Sequence, residues 1–572
     1  MSIAKDSPNN RTDKDLRYFE SKVLDQHHRE FAIWNRPAAE AIYAVVAGYD
    51  SMVLPIREIE SQKEAILNVG PYQILKNVDE GFAQALRWIT RGQAIDCIRP
   101  TKSSNAIDEA GTLLVHAAHY APLAGFHVLY SRGAMKAHVD RERRVVRFEP
   151  FTPDRHRAET FAERFTVYER KHKPSEHAHL TVHRLLLQLP YDLVSGRIVL
   201  HDPIRVLAED MRQFVRLLMP TYSLPLDPRA DLVGFSMQDF RAFWFPLSCW
   251  SQALVRLFVL LVDSRVSQAE CMPTQVMPVS QFIATMTAMS GLDQGVVGRI
   301  VDRISYDPRI PKADPFLTPL LRAGDDVCWS PLSVVLSRME RNLIKAMARH
   351  EDLRNHAATL VGDTKGPLLR ALGVELAKKG QYDYKLRKSI SAKEETAEID
   401  LLAWTRRAPN EVLLVEGKAL LSTDEAGEGI AASAEIARAQ DQITRAAQLL
   451  EGAPISQKRA LYPFVPWEQV DTYRLLVVTP DSQFGHAVDE SRVPVATLDA
   501  FRLHARRAQC SSPTLLCEVL RERAWLRRYI EGPLSYDPVA IGDVTYEIPF
   551  SENSKTNGTN VPIQWVSRAG AS

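Results

Sequence analysis

Cysteine is scarce in this chain of 572 residues: Cys97, Cys249, Cys271, Cys328, Cys510 and Cys517 are the six, and no two form a Cys-x-x-Cys pair. Such spacing excludes a disulfide framework and a cysteine zinc site, and leaves reduced, mostly buried thiols as the expectation. Net charge is equally scant, +1 from 71 basic and 70 acidic residues. A protein that coats nucleic acid with its whole surface would be far more basic, so any polyanion site has to be local. Long apolar runs are missing as well: the longest, residues 253–262, is too short to span a bilayer and contains Arg256. Lys5, Asp6, Arg11, Asp13, Lys14 and Asp15 mix both charges near the start, where a signal or transit peptide would not. The expectation is a cytoplasmic, soluble chain without a membrane partner.

Internal repeats are absent, and so is a nucleotide-triphosphate motif. Gly417-Lys418 fails as a P-loop because Val412 stands where the first glycine is required and no Ser or Thr follows the lysine. His177, His179 and His183 lack a matching Glu or Cys, which argues against zinc. His116 and His119 on an apolar helix read as core or partner-contact residues. What remains is ordinary globular usage, 45% hydrophobic and 25% charged, in a length that suggests about three or four domains.

Residues 14–91 follow helical spacing, with Leu16, Phe19, Val23 and Phe31 along one face. A second helical pattern includes Leu113 and Leu114. The period then changes to two: residues 126–130, 135–139 and 145–148, with a turn over 140–143, predict a small antiparallel meander. Residues 161–263 return to a helical pattern, broken by prolines over 219–228. Pro308, Pro311, Pro315 and Pro319 then mark the expected main boundary. Residues 332–350 read as one helix, and residues 360–503 alternate helix, strand, strand, helix, strand, strand, which is α/β patterning. The expected division is a helical region over 1–110, a mainly helical region over 111–330 with the meander at about 125–149, an α/β domain over 331–505, and a helical extension with a polar tail over 506–572.

Chemistry concentrates in two apolar runs, Ala397 to Trp404 and Glu411 to Leu420, separated by a linker with Arg406, Arg407, Pro409 and Asn410. They predict an antiparallel hairpin whose turn, centred near Ala408, sets Asp400 opposite Glu416. Side chains alternate along a strand, so Glu416 and Lys418 share that face while Val415 and Gly417 point away. Two carboxylates and an ammonium among Ile, Leu and Val are costly without a ligand or a function. A divalent cation, Mg²⁺ or Mn²⁺, held by Asp400 and Glu416 compensates them, and with Lys418 suits phosphodiester hydrolysis. The plain alternative is acid and base pairing across an edge hairpin.

Glu398-Ile399-Asp400-Leu401-Leu402-Ala403 followed by Val415-Glu416-Gly417-Lys418 resembles the PD-(D/E)xK nuclease superfamily, in the form of its Holliday-junction-resolvase-like and defence-associated branches. The likeness spans residues 360–503, roughly a quarter of the chain. It implies a restriction-endonuclease-like domain, a central mixed sheet flanked by helices, with Asp400 and Glu416 as metal ligands and Lys418 as the catalytic lysine. It also implies an upstream helix bearing a further acid. Residues 367–379 fit that helix, capped by Asp363 or Thr364 and followed by Gly380, with Glu375 beside the Leu369, Leu372 and Leu376 face as the candidate extra ligand. Many family members place this acid nearer the position of Leu369, and a merely solvated Glu375 is the alternative. Downstream, residues 431–450 form an alanine-rich helix with Ile436, Ala439, Ile443, Ala447 and Leu450 on its apolar face. Family members carry a supporting glutamine here. Facing favours Gln440, while the place just before an apolar residue favours Gln442.

The resemblance implies a DNA endonuclease in phage defence or repair, with RNA left open. Arg521, Arg523, Arg527 and Arg528, with Trp525 and Tyr529, are candidates for the nucleic-acid contact, although Glu518 and Glu522 interleave as on a solvated helix. Lys136, Arg141, Arg143, Arg144 and Arg147 on the meander are a second candidate. The helical N-terminal half carries no catalytic set and is expected to recruit a protein partner. A different class of reading is a non-catalytic nucleic-acid-binding or scaffold protein built on the nuclease fold.

Overall fold

The structure is a computed structural model that describes residues 10–61, 69–151, 175–219, 226–310, 313–378, 381–392, 395–421, 423, 426–480, 493–505, 511–522 and 535–550. After a short helix, α1 (Asn10–Phe19), helical spacing of small and apolar residues builds α2 (Ala38–Ser61), α3 (Val69–Thr90) and α4 (Ser104–Ser131), which pack on one another. Gly81 permits the closest approach, because a Cβ there would lie 2.5 Å from the Ala118 backbone nitrogen. Residues 126–130 belong to α4, not to the expected meander. Their β-forming composition is overridden by the helical burial of Leu123, His127 and Leu129. The meander is therefore two strands, β1 (Met135–Asp140) and β2 (Val145–Pro150).

The region expected to be helical contains α5 (Glu176–Leu187), a hairpin of β3 (Tyr191–Val194) and β4 (Arg197–Leu200), α6 (Glu209–Leu218) and α7 (Met237–Asp263). Ser195 and Gly196, both at positive φ, make the two-residue turn of that hairpin. Residues 152–174 and 220–225 lie outside the described residues. Ser236 and Asp239 start α7 with a reciprocal capping box. This helix is long and apolar enough to cross a membrane, but two thirds of its most apolar window is buried inside the protein. Trp250 meets Trp329 edge-on and stacks with Phe282 at the centre of that core.

The proline cluster is not a boundary. After β5 (Gln275–Pro278), α8 (Val279–Ser290) and α9 (Gln294–Arg303), β6 (Ser305–Tyr306) pairs with β7 (Leu320–Ala323), so Pro308, Pro315 and Pro319 lie on a crossover within a four-stranded sheet completed by β8 (Asp326–Trp329), while Pro311 lies outside the described residues. The helix expected over 332–350 is two, α10 (Pro331–Leu336) and α11 (Met339–Arg349). They are separated where Ser337 Oγ and Asn342 Nδ2 both donate to the Phe316 carbonyl. One apolar core then runs from Ile33 to Leu360, through α12 (Arg354–Asp363). Core continuity thus places the change of unit near Thr364, not among the prolines.

Beyond it, α13 (Lys365–Ala377) leads into β9 (Asp383–Ala392), β10 (Glu395–Thr405) and β11 (Ala408–Gly417), followed by α14 (Ala426–Gly452) and α15 (Ile455–Leu461), then β12 (Thr472–Thr479) and β13 (Val495–Thr497), with α16 (Leu498–Ala505) and α17 (Pro513–Glu522). The five strands form a mixed sheet in the order β13-β12-β11-β10-β9. Pairing is antiparallel from β9 to β11 and parallel from β11 to β13. Alternation sends Leu401, Ala403, Leu413 and Val415 to one face, with Leu368, Leu369 and Leu372 of α13 and Leu516 of α17. Leu402, Trp404, Val412 and Leu414 take the other, with Ile436, Ala439 and Ile443 of α14. A mixed sheet flanked by helices is therefore present, as expected, with β9 as an additional strand.

The C-terminal extension is only partly helical. Past residues 523–534, which lie outside the described residues, β14 (Ser535–Ile541) and β15 (Val544–Phe550) form a hairpin. β15 pairs in parallel with β2, giving a second four-stranded sheet that buries Leu16, Phe19, Val146, Phe148 and Tyr546 together.

Candidate active site

The hairpin of β10 and β11 sets the geometry. Leu401 pairs with Val415 and Leu402 with Leu414, and the same register carried one residue further places Asp400 across from Glu416. The turn itself is tighter than the expected one. Thr405 pairs with Ala408 around Arg406 and Arg407, and an irregularity after Trp404 absorbs the difference. The face assignment rests on Gly417, where a Cβ would sit 2.8 Å from Leu369 Cδ2 and 3.4 Å from Leu368 Cδ2. Only glycine lets α13 pack this closely, so Glu416 and Lys418 take the opposite side.

Asp400 and Glu416 are both buried, at 1% and 6% exposure, so their charges have to be compensated from within the protein. Asp400 Oδ2 accepts a hydrogen bond from the Gly417 backbone N–H at 3.0 Å and an ion pair from Lys365 Nζ at 2.8 Å. Asp400 Oδ1, equally buried, has no N–H donor, and the Glu416 carboxyl lies within hydrogen-bonding reach of the Asp400 carboxylate. Glu416 Oε1 lies 3.5 Å from Lys365 Nζ and 3.6 Å from Lys418 Nζ. Burial and the neighbouring Asp400 carboxylate push the Glu416 carboxyl up to about 7, against the pull of the two lysines. For Lys365, burial disfavours the ammonium, but the hydrogen bond to Asp400 and the charge of Glu416 outweigh it and raise its pKa.

Lys418 lies one residue past the end of β11, where its backbone N–H donates to the Val478 carbonyl at 2.9 Å and so extends the pairing with β12. Its ammonium donates to Gln442 Oε1 at 2.8 Å. Of the two glutamines, then, Gln442 reaches the lysine. Gln440 is buried and donates to the Val493 carbonyl at 2.7 Å, linking α14 to the segment before β13. Gln440 lies on the apolar face of α14, packed against the sheet and away from the lysine. Glu416 instead sits at the end of β11, with Asp400 across from it in the middle of β10, beside the exposed rim of α14 that carries Gln442.

Glu375 is not brought to this point. It is buried near the far end of α13, 2.8 Å from Lys378 Nζ and 3.9 Å from Arg502 Nε, and about 15 Å of helix separates it from Lys365. The residue that α13 does deliver is Lys365. A signal for it existed, since Lys365 precedes Leu369 by four and so shares its helix face, but a search restricted to acids passes over it. Among the described residues, no three His, Cys, Asp or Glu side chains come together as a metal-binding group.

Of the basic candidates, Arg521 is exposed near the end of α17, while Arg523, Arg527 and Arg528 lie outside the described residues. The meander arginines are engaged: Arg144 pairs with Asp543 at 2.6 Å, Arg147 with Glu547, and Arg141 with Asp15 at 3.5 Å. Their charge is spent on holding the C-terminal hairpin and α1 against the meander. His116 is buried against Trp88 and Phe31, as a core histidine is, whereas His179 is half-buried with its ring edge-on to Phe214. Compared with models of protein families, with curated proteins and with solved structures, the chain matches none.

Proposed function

We propose that the chain is a metal-dependent nuclease that hydrolyses phosphodiester bonds in DNA, using Asp400, Glu416 and Lys418. The observation that carries this reading is the Asp400 carboxylate, buried beside a second buried carboxylate with no N–H donor at Oδ1. Such a pair is costly without positive charge beside it, which Lys365 supplies in the metal-free protein and a divalent cation would supply in its place. Oxygen ligands of this kind suit Mg²⁺ or Mn²⁺, commonly held by one or two carboxylates, waters and a substrate phosphate. A bound ion would neutralise charge on the phosphate and lower the pKa of a coordinated water.

The chain's own groups do the remaining work. The Gly417 N–H orients Asp400. Lys418, steered by Gln442, holds its ammonium at the rim of the pair, where it can position the attacking water or stabilise charge on a phosphate oxygen. The order of helix, three antiparallel strands, helix and parallel strands, with Glu416 at the end of β11 and Asp400 opposite it on β10, supports the restriction-endonuclease-like reading of this domain. The resemblance further suggests a cytoplasmic role in phage defence or DNA repair. The test is a panel of labelled single-stranded, duplex and branched DNA and RNA, with and without Mg²⁺, beside Lys418→Ala. Metal-dependent cleavage by the wild-type protein and none by the variant is expected; undiminished cleavage by Lys418→Ala rejects the assignment.

The second reading, a non-catalytic nucleic-acid-binding scaffold, draws on one observation: α13 brings a lysine to the carboxylates, whereas the family's upstream helix often brings an acid. Absence of any calorimetric heat with Mn²⁺ that depends on Asp400 would favour it.

A further inference from the structure

Lys365 is the charged group at the carboxylate pair that neither the motif nor the proposed chemistry uses. Its ammonium lies 2.8 Å from Asp400 Oδ2 and 3.5 Å from Glu416 Oε1, so a single cation touches both carboxylates. It comes from the first residue of α13, while both acids belong to the hairpin. The Lys365 side chain keeps 27% exposure, against 1% and 7% for the two acids. A flexible four-carbon stem at the mouth of a buried anionic pair can swing outward without unfolding anything. The two acids, one on Gly417 N–H and both within the sheet, cannot follow it.

We propose that Lys365 is a tethered counter-cation that occupies the Asp400–Glu416 pair in the metal-free protein and is displaced from it when a divalent ion binds. The inference rests on the metal-site reading given above. Its physical basis is compensation: two buried carboxylates require positive charge, the ammonium supplies it in one state, and a divalent ion supplies it in the other. Because both cations need the same oxygens, they compete, and the intrinsic metal affinity of the pair is reduced by the fraction of molecules in which Lys365 occupies it.

Titration calorimetry with Mn²⁺ alone, on the full chain, compares the wild type with Lys365→Met, Lys365→Arg and Asp400→Asn. Lys365→Met is expected to bind Mn²⁺ about tenfold more tightly or better, and to melt at a lower temperature than wild type in chelator but to gain more from added Mn²⁺. Lys365→Arg, which keeps the competing charge, is expected to bind no more tightly than wild type. Equal affinity in wild type and Lys365→Met, with binding abolished in Asp400→Asn, overturns the counter-cation and leaves the metal site standing. Tightening by Lys365→Arg as large as by Lys365→Met overturns it too, since charge would then be irrelevant. No Mn²⁺ binding that depends on Asp400, in wild type or in Lys365→Met, overturns the metal reading and the counter-cation with it.

Discussion

Lys418 Nζ donates to Gln442 Oε1 across 2.8 Å, joining the residue after β11 to the exposed rim of α14. Lys418 has few other constraints, because its further polar neighbour is Glu416 at 3.6 Å. Gln442→Ala should therefore leave thermal stability unchanged and lower the single-turnover cleavage rate by about tenfold, the loss of one orienting hydrogen bond. Gln440→Ala should do the reverse. It removes a buried hydrogen bond to Val493 and should cost about 1–2 kcal/mol in denaturant unfolding, with little direct effect on rate. A rate loss confined to Gln440→Ala would reverse the two roles.

Gly417→Ala tests the packing that aims the site. The added methyl would meet Leu369 Cδ2 at 2.8 Å, so either Leu369 changes rotamer or α13 shifts away from the sheet. Overpacking of this kind costs about 1–3 kcal/mol. The expected result is a lower melting temperature together with weaker Mn²⁺ binding, since the Gly417 N–H and Lys365 both depend on the same contact. The Gly417→Ala, Leu369→Ala double variant should recover part of both.

Asp50, in the N-terminal core, predicts a pH dependence. Its carboxylate accepts from Thr274 Oγ1 at 2.6 Å, from Ser330 Oγ and from the Leu332 N–H at 3.3 Å, but complete burial outweighs these bonds and pushes its pKa from 3.8 up to about 7. A carboxyl raised by folding contributes stability that is complete below its unfolded value and is lost as pH rises through the folded one. Between about pH 4 and 7 this single group should lower stability by up to about 1.4 kcal/mol per pH unit. Denaturant unfolding across that window should show the slope in the wild type and a shallower one in Asp50→Asn. Parallel profiles would exclude Asp50 as its source.

Tyr546 measures how much the C-terminal hairpin holds. It is fully buried on β15, in the cluster with Leu16, Phe19 and Phe148. Tyr546→Ala should cost about 3–5 kcal/mol by cavity formation and open the β2 edge to proteolysis. A fragment pattern identical to wild type would show that the hairpin is dispensable.

The hairpin of β10 and β11 was legible because its side chains obey a strict alternation and its acids interrupt an apolar run. The register of Asp400 against Glu416 followed from counting, even though the turn lies at Arg406 and Arg407. β9 was not read from the sequence, although Asp383, Lys385, Arg387 and Ser389 on the solvent side alternate with Tyr384, Leu386 and Ile390; Lys388 breaks the apolar side of that alternation. Nor was Lys365, whose importance comes from where α13 lands on the sheet and not from its neighbours in sequence. Phe126 to Tyr130 misled for the opposite reason: a segment with three strand formers, Phe126, Val128 and Tyr130, is held in α4 by burial that only the tertiary structure supplies. The prolines from Pro308 to Pro319 suggested a linker, but a crossover between β6 and β7 needs such residues as much as a linker does.

The pairing of β15 with β2 joins Arg147 to Glu547, 400 residues apart. During synthesis, β1 and β2 emerge long before the strand that covers them. Until residue 550 has left the ribosome, β2 presents an open edge and an incomplete apolar floor, a state prone to pairing with other chains. The α/β domain of residues 365–522 is made in the interval, between two unfinished halves of one sheet. A chain cut short before β14 keeps that edge and floor exposed, and should be degraded faster than the full-length chain.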